Sequence, residues 1–281
     1  MKTKTIIPLI AILILIMSCS SLPKSIPSPD KQNYDAFLTM AHRAEQNRNF
    51  AQAQEFYAKA LNGYKLLADP NGVMEVYSGF ARIALLQDIQ PDFDTWYAKM
   101  QDMNVNLYSA NCHYMVLIDL YRLHQLQSWK ELNNYAIVKD DFPIVAKLQI
   151  LSYKVQTNSL LGINDPDSWK QLVSAYYKAK KQQPKPASAL SMEAYSIAYY
   201  FMAIKDYKKA ERYIDQAIYY DYTSASYSSL ATSLLLAATI AEKAGDMRTQ
   251  RASLMRAKMI YEGLGDAKAS QEIQQVLEGS E

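Results

Sequence analysis

From Tyr34 onward, apolar residues recur at three- and four-residue intervals and do not alternate. In YDAFLTMAHRAEQ (34–46), AQAQEFYAKALNGY (51–64), EAYSIAYYFMAI (193–204) and KKAERYIDQAIYY (208–220), this spacing collects them on one stripe of a 3.6-residue turn, as in amphipathic helices. No run reads convincingly as a strand, so the pattern predicts an all-α body. Breaks fall at Pro70-Asn71, Gln90-Pro91-Asp92, Asp141-Phe142-Pro143, Asp165-Pro166-Asp167, Pro184 to Pro186, Thr223-Ser224 and Gly245-Asp246. Several set a capping Asp or Asn beside a proline, which helix starts favour because the side-chain oxygen satisfies free N–H groups and proline has none to satisfy. The final segment, AKASQEIQQVLEGSE (267–281), puts Ala269, Ile273, Val276 and Leu277 on one face. It is expected to be a helix that caps the stack, with a polar outer side.

The first 33 residues follow another pattern. Lys2 and Lys4 precede an apolar run from Ile6 to Met17, then come Ser18 and Cys19. A charged start, a short apolar core and a small residue make an export signal. Twelve residues fall short of the ~20 that a membrane-spanning helix needs. Ile16-Met17-Ser18-Cys19 resembles a lipobox, which implies cleavage before Cys19 and a lipid on its sulfur. Met17 departs from the small or hydroxyl residue usual at its place. Under this reading residues 1–18 are a lipoprotein signal peptide, residues 19–33 a lipidated cysteine and flexible tether, and residues 34–281 the helical body. The stretch Ser20 to Asn33 holds three prolines and four serines and reaches at most about 45 to 50 Å. Ser20 is not the Asp that retains lipoproteins at the inner membrane in enterobacteria-like cells, so the resemblance implies an outer-membrane anchor facing the periplasm.

Within the body the helical segments repeat. Aligned on Ala41, Ala84, Leu120, Leu160, Ala198 and Ala238, the chain shows Phe50, Phe93, Trp129, Trp169, Tyr207 and Met247 nine residues later. Small residues recur nineteen residues after four of these anchors, at Ala60, Ala179, Ala217 and Ala257. Such recurrence marks stacked supersecondary units. In the first unit Ala41, Phe50, Ala53, Tyr57 and Ala60, and in the fifth Ala198, Phe201, Tyr207, Ala210 and Ala217, resemble the tetratricopeptide repeat (TPR); the sixth matches at Ala238, Gly245, Leu254 and Ala257 and departs at Gln250. The resemblance implies an α-solenoid of about six TPR-like helix-turn-helix units. It also implies that the first helix of each pair lines a concave face, which nominates Tyr114, Tyr121 and His124 in the third unit and Tyr195, Tyr199 and Met202 in the fifth as a partner-binding groove. Packing between units accounts for the same tyrosines and methionines equally well.

Charge and chemistry narrow the function classes. The chain carries 30 basic and 28 acidic residues; removal of residues 1–18 takes away two lysines and leaves the two signs equal, so no global field attracts nucleic acid. Cys19 and Cys112 are the two cysteines; with Cys19 lipidated, Cys112 has no partner and reads as a small buried hydrophobe. Three histidines occur without metal-ligand spacing, and no nucleophile motif, phosphate loop or dinucleotide fingerprint is present. Asp92 with Asp94 and Asp165 with Asp167 sit at helix starts, where capping explains them. The expectation is a protein that is not an enzyme and needs neither cofactor nor metal: a lipid-anchored scaffold or adaptor for another cell-envelope protein or complex. The alternative is a small-molecule or lipid-binding accessory component of an envelope transport system. Its 22 tyrosines and 12 methionines supply adaptable contact surface for either role.

Overall fold

The computed structural model describes residues 29–108, 112–183 and 185–278. The proposed signal peptide and Cys19 lie outside the described residues. Among those described there are thirteen α-helices and no strands: α1 (Pro29–Gln46), α2 (Phe50–Leu66), α3 (Pro70–Leu86), α4 (Gln90–Leu107), α5 (His113–Gln125), α6 (Trp129–Tyr135), α7 (Ile144–Leu160), α8 (Pro166–Ala179), α9 (Ala187–Ala203), α10 (Tyr207–Thr223), α11 (Tyr227–Ala244), α12 (Met247–Gly263) and α13 (Ala267–Glu278). Because α1 begins at Pro29, the last five residues assigned to the tether are helical. Asp30 in the first turn complements the positive end of the helix dipole, and Lys31 ties that turn to Asp69 at 2.7 Å.

Most helices are joined by one short turn, used again and again. Arg48, Ala68, Asp88, Gln127, Gly162, Lys205, Ala225, Gly245 and Gly265 all have φ between +50° and +82°. The N–H of the residue after each reaches back five residues, for example Asp69 to Tyr64, Asp206 to Phe201 and Ser226 to Asp221 at 2.9 to 3.0 Å. This left-handed closure satisfies carbonyls that the helix end would leave free. The residue that ends the turn then often caps the next helix: Asn49, Asp69, Asp206 and Asp246, and also Asp165 two residues beyond its turn, each accept a hydrogen bond from a backbone N–H two or three residues on. Asp165 thus caps as expected. Asp92 and Asp94 do not, since the cap of α4 is Ile89, without a side-chain bond.

Helix starts also refine the repeat register. The residues nine positions before α2, α4, α6, α8, α10 and α12 are Ala41, Ala81, Leu120, Thr157, Ala198 and Ala238, all buried. Two of the six anchors read from the sequence are therefore displaced by three residues. Ala84 is buried but not equivalent, and Leu160 ends α7 at 46% exposure. Three residues is nearly one helical turn, so apolar spacing alone fits both registers.

Packing is serial. Buried clusters run from α1 through α3, then across α3 to α5, α5 to α7, α7 to α11 and α11 to α13. Each helix packs on its chain neighbours, and the odd-numbered helices α1, α3, α5, α7, α9 and α11 form a second series in which each touches the next. That series closes, because α11 also touches α1. The closure is made of turns: Asn47 Nδ2 donates to Ala225 O at 3.2 Å, Tyr227 N–H donates to Asn47 Oδ1 at 2.9 Å, and Ser226 Oγ donates to Gln46 Oε1 at 2.5 Å. Arg48 adds an ion pair to Asp266 at 3.2 Å. The inner helices thereby surround a central space.

Candidate functional site

The space enclosed by the inner helices is a cavity of about 920 Å³. Its walls come from α1, α3, α5, α7, α9 and α11, together with Arg48, Pro143, Asp221 and Ser226 at or near turns. Every inner helix contributes because the serial packing directs one face of each toward the axis. Four of the six residues nominated from the sequence lie in this wall: Tyr114, Tyr121 and His124 from α5, and Tyr195 from α9. Tyr199 and Met202 do not. They are partly buried and pack against the core shared by α8, α9 and α10. Tyr195, Tyr199 and Met202 share one stripe of α9, yet the cavity ends before the last two turns of that helix.

One wall is ionic. Arg82 of α3 donates from Nε to Glu45 Oε1 at 2.7 Å and from Nη2 to Glu45 Oε2 at 2.9 Å, a two-point clamp on a carboxylate that is 8% exposed. Tyr57 Oη donates to Glu45 Oε2 at 2.5 Å and lies 2.9 Å from His42 Nδ1, while His42 Nε2 is 3.3 Å from Glu75 Oε1. Burial alone would raise the Glu45 carboxyl, but the Arg82 and His42 charges outweigh it and hold the group at about 2. Burial would likewise lower His42, and the two carboxylates overcome it to place the imidazolium at about 8. At neutral pH this wall carries two positive and two negative charges and compensates itself. Tyr57 reaches the cluster by lying on the backbone of α3: a Cβ added at Gly79 would fall 2.3 Å from its ring.

The middle of the cavity is aromatic. His124 meets Trp129 and Tyr153 edge-on, with ring centroids 5.2 and 5.5 Å apart, and its burial pushes the imidazole below its usual range. Burial pushes Tyr121 and Tyr195 up to about 12, so both remain neutral donors. Cys112, which caps α5, is 6% exposed among Met74, Ala81, Phe93 and Met100, a small hydrophobe as its solitary position in the sequence implies.

A further wall is built of hydroxyls from α9 and α11 beside one carboxyl, Asp221, in the last turn of α10. Asp221 accepts from Ser191 Oγ at 2.5 Å and from Ser233 Oγ at 2.7 Å, and is 1% exposed. Burial raises its carboxyl to about 6, against the pull of the two serines.

Neither the ionic cluster nor Asp221 was singled out from the sequence. The available signal was placement: Glu45 follows Ala41 and Ala44 on the apolar stripe of α1, and Asp221 follows Ala217 and Tyr220 on that of α10. Charge on a buried stripe requires a partner. No group of three or more His, Cys, Asp or Glu side chains suited to a metal ion occurs among the described residues. No protein-family model matches this chain, and no curated protein matches it.

Proposed function

We propose that this protein is a lipid-anchored, non-catalytic scaffold of the bacterial cell envelope. Its TPR-like helix pairs form a ring that holds a short segment of a partner envelope protein in the central cavity. The anchor is Cys19, and the location is the outer membrane, facing the periplasm. The observation that carries the reading is the closed inner layer: six helices together present tyrosines, three histidines and hydrogen-bonding side chains around one space of about 920 Å³. Aromatic and polar groups arranged around one concave space are what binding needs. No helix among the described residues is long and apolar enough to cross a membrane, so the attachment proposed at Cys19 is through acyl chains, at ~0.8 kcal/mol per buried methylene.

A second reading, a small-molecule accessory component of a transport system, is favoured by the closure between the α1–α2 and α10–α11 turns. The ionic and hydroxyl-rich walls argue against a lipid acyl chain as the cargo.

The test compares Tyr121→Ala with Tyr199→Ala in full-length protein recovered from membranes, measuring melting temperature and co-purifying material together. Tyr121→Ala should leave melting nearly unchanged and weaken partner capture by more than about 1 kcal/mol, as loss of an aromatic anchor does. Tyr199→Ala, outside the cavity and half in the core, should lower melting and spare capture. Capture that survives Tyr121→Ala would reject the cavity as the partner site, and a small molecule lost from Tyr121→Ala in native mass spectra would promote the second reading.

A further inference from the structure

Asp221 stands where a carboxylate is hard to keep. It lies in the last turn of α10, the negative end of that helix dipole, where a cation is favoured and an anion is not. It is almost wholly removed from solvent. Its hydrogen-bond partners among the described residues are two neutral hydroxyls, Ser191 on Oδ1 and Ser233 on Oδ2, and no cation lies within ion-pair distance of it there. Elsewhere in the lining the charges of Arg82 and His42 are taken up by Glu45 and Glu75. One negative charge therefore faces the space without compensation.

Nothing in the packing of α9, α10 and α11 requires that charge. A serine or asparagine at position 221 could meet the same two hydroxyls without a desolvated anion. The two serines use one acceptor position on each oxygen and leave the others open. Ser229 and Thr232 of α11 also line the cavity, and Tyr195 lies one helical turn beyond Ser191 on the same face of α9. A carboxylate, neutral acceptors and an aromatic ring within one enclosed wall match the three donors and the charge of an alkylammonium group. We propose that this wall recognises a primary ammonium group, with Asp221 as its counter-charge, presented by a lysine side chain on the bound segment. The inference rests on the cavity reading above and names the chemistry of its ligand.

The experiment uses the full-length chain and three fluorescent heptapeptides, Gly-Ser-Ala-Xaa-Ala-Ser-Gly with Xaa Lys, Gln or Glu, read by anisotropy, with free cadaverine as a fourth probe in calorimetry. The Lys peptide should bind wild type at least about tenfold more tightly than the Gln peptide, and the Glu peptide most weakly. Asp221→Asn should bring Lys and Gln level without loss of melting temperature. The ranking on wild type is a test by itself, so a variant that fails to fold does not rescue the idea. Equal binding of the Lys and Gln peptides overturns the ammonium site and leaves the peptide-holding cavity standing. Cadaverine binding that depends on Asp221, with no peptide bound, keeps the ammonium site, assigns it to a free amine and removes the protein-segment reading. Binding of none of the four probes rejects both.

Discussion

Glu193 is the residue at which burial and chemistry conflict most sharply. It sits in the middle of α9, with 0% exposure and no hydrogen-bond partner among the described residues for either carboxyl oxygen. Burial drives its carboxyl well above the usual 4.5. A folded-state value above the unfolded one means that the protonated group is compatible with the fold at low pH. Stability is then lost as pH rises from about 4.5 through the folded value, by up to about 1.4 kcal/mol per pH unit. Glu193→Gln removes this titration, so its advantage in melting temperature over wild type should be small at pH 5 and grow steadily toward pH 8. A difference that stays constant across that range would show that Glu193 is not held neutral. The same reasoning separates Glu193 from Glu45, also buried but clamped by Arg82 and therefore kept charged.

At the scale of the element, the recurring turn decides where each helix stops and the next begins. Three of its nine left-handed positions are glycine, while Arg48, Ala68, Asp88, Gln127, Lys205 and Ala225 adopt positive φ with a side chain. An L residue there costs roughly 1 kcal/mol because Cβ crowds the following carbonyl. Ala68 has φ +50° in the turn between α2 and α3. Ala68→Gly should stabilise by about 0.5 to 1 kcal/mol and raise melting by about 1 to 4 °C. The added freedom of glycine in the unfolded chain works against this gain. A lower melting temperature for Ala68→Gly would mean that unfolded-state entropy outweighs the relieved strain. Helix contacts are set by small residues too: Ala60, Ala217 and Ala257 are each 0% exposed, which fits the close approach read from their recurrence.

For the whole molecule the decisive feature is closure. Three hydrogen bonds join Gln46 and Asn47 to the turn 225–227, across a sequence separation of 178 to 180 residues. At ~1 kcal/mol net for each bond, they bias a closed ring over an open spiral by about 3 kcal/mol. Replacing Gln46 and Asn47 together by alanine should shift the ensemble toward open forms. Small-angle scattering should give a larger radius of gyration, and the amides at the end of α1 and the start of α11 should exchange faster. Arg48→Ala, which removes an ion pair made by a half-exposed guanidinium, should change both far less. Unchanged scattering and exchange in the double variant would place the energy of closure elsewhere, in the side-chain packing of α1 on α11.

The sequence by itself determined the helices, because the three-four spacing of apolar residues and the Asp, Asn and Pro punctuation are local and act within one turn. It also carried the small residues at helix contacts and the buried solitary Cys112; the nomination of Tyr114, Tyr121, His124 and Tyr195 came from the resemblance to the tetratricopeptide repeat, and all four lie in the cavity lining. It left the register of the second and fourth units three residues off, since a shift of nearly one turn preserves the apolar stripe. It grouped Tyr199 and Met202 with Tyr195, since one helix face says nothing of where a cavity ends along the axis. Only the tertiary structure decided that α11 meets α1, that Glu45 and Arg82 on different helices share one clamp, and that Asp221 faces the space without a cation. Each of these depends on the angle at which successive helices stack. That angle accumulates over six pairs from packing differences too small to appear in any one segment.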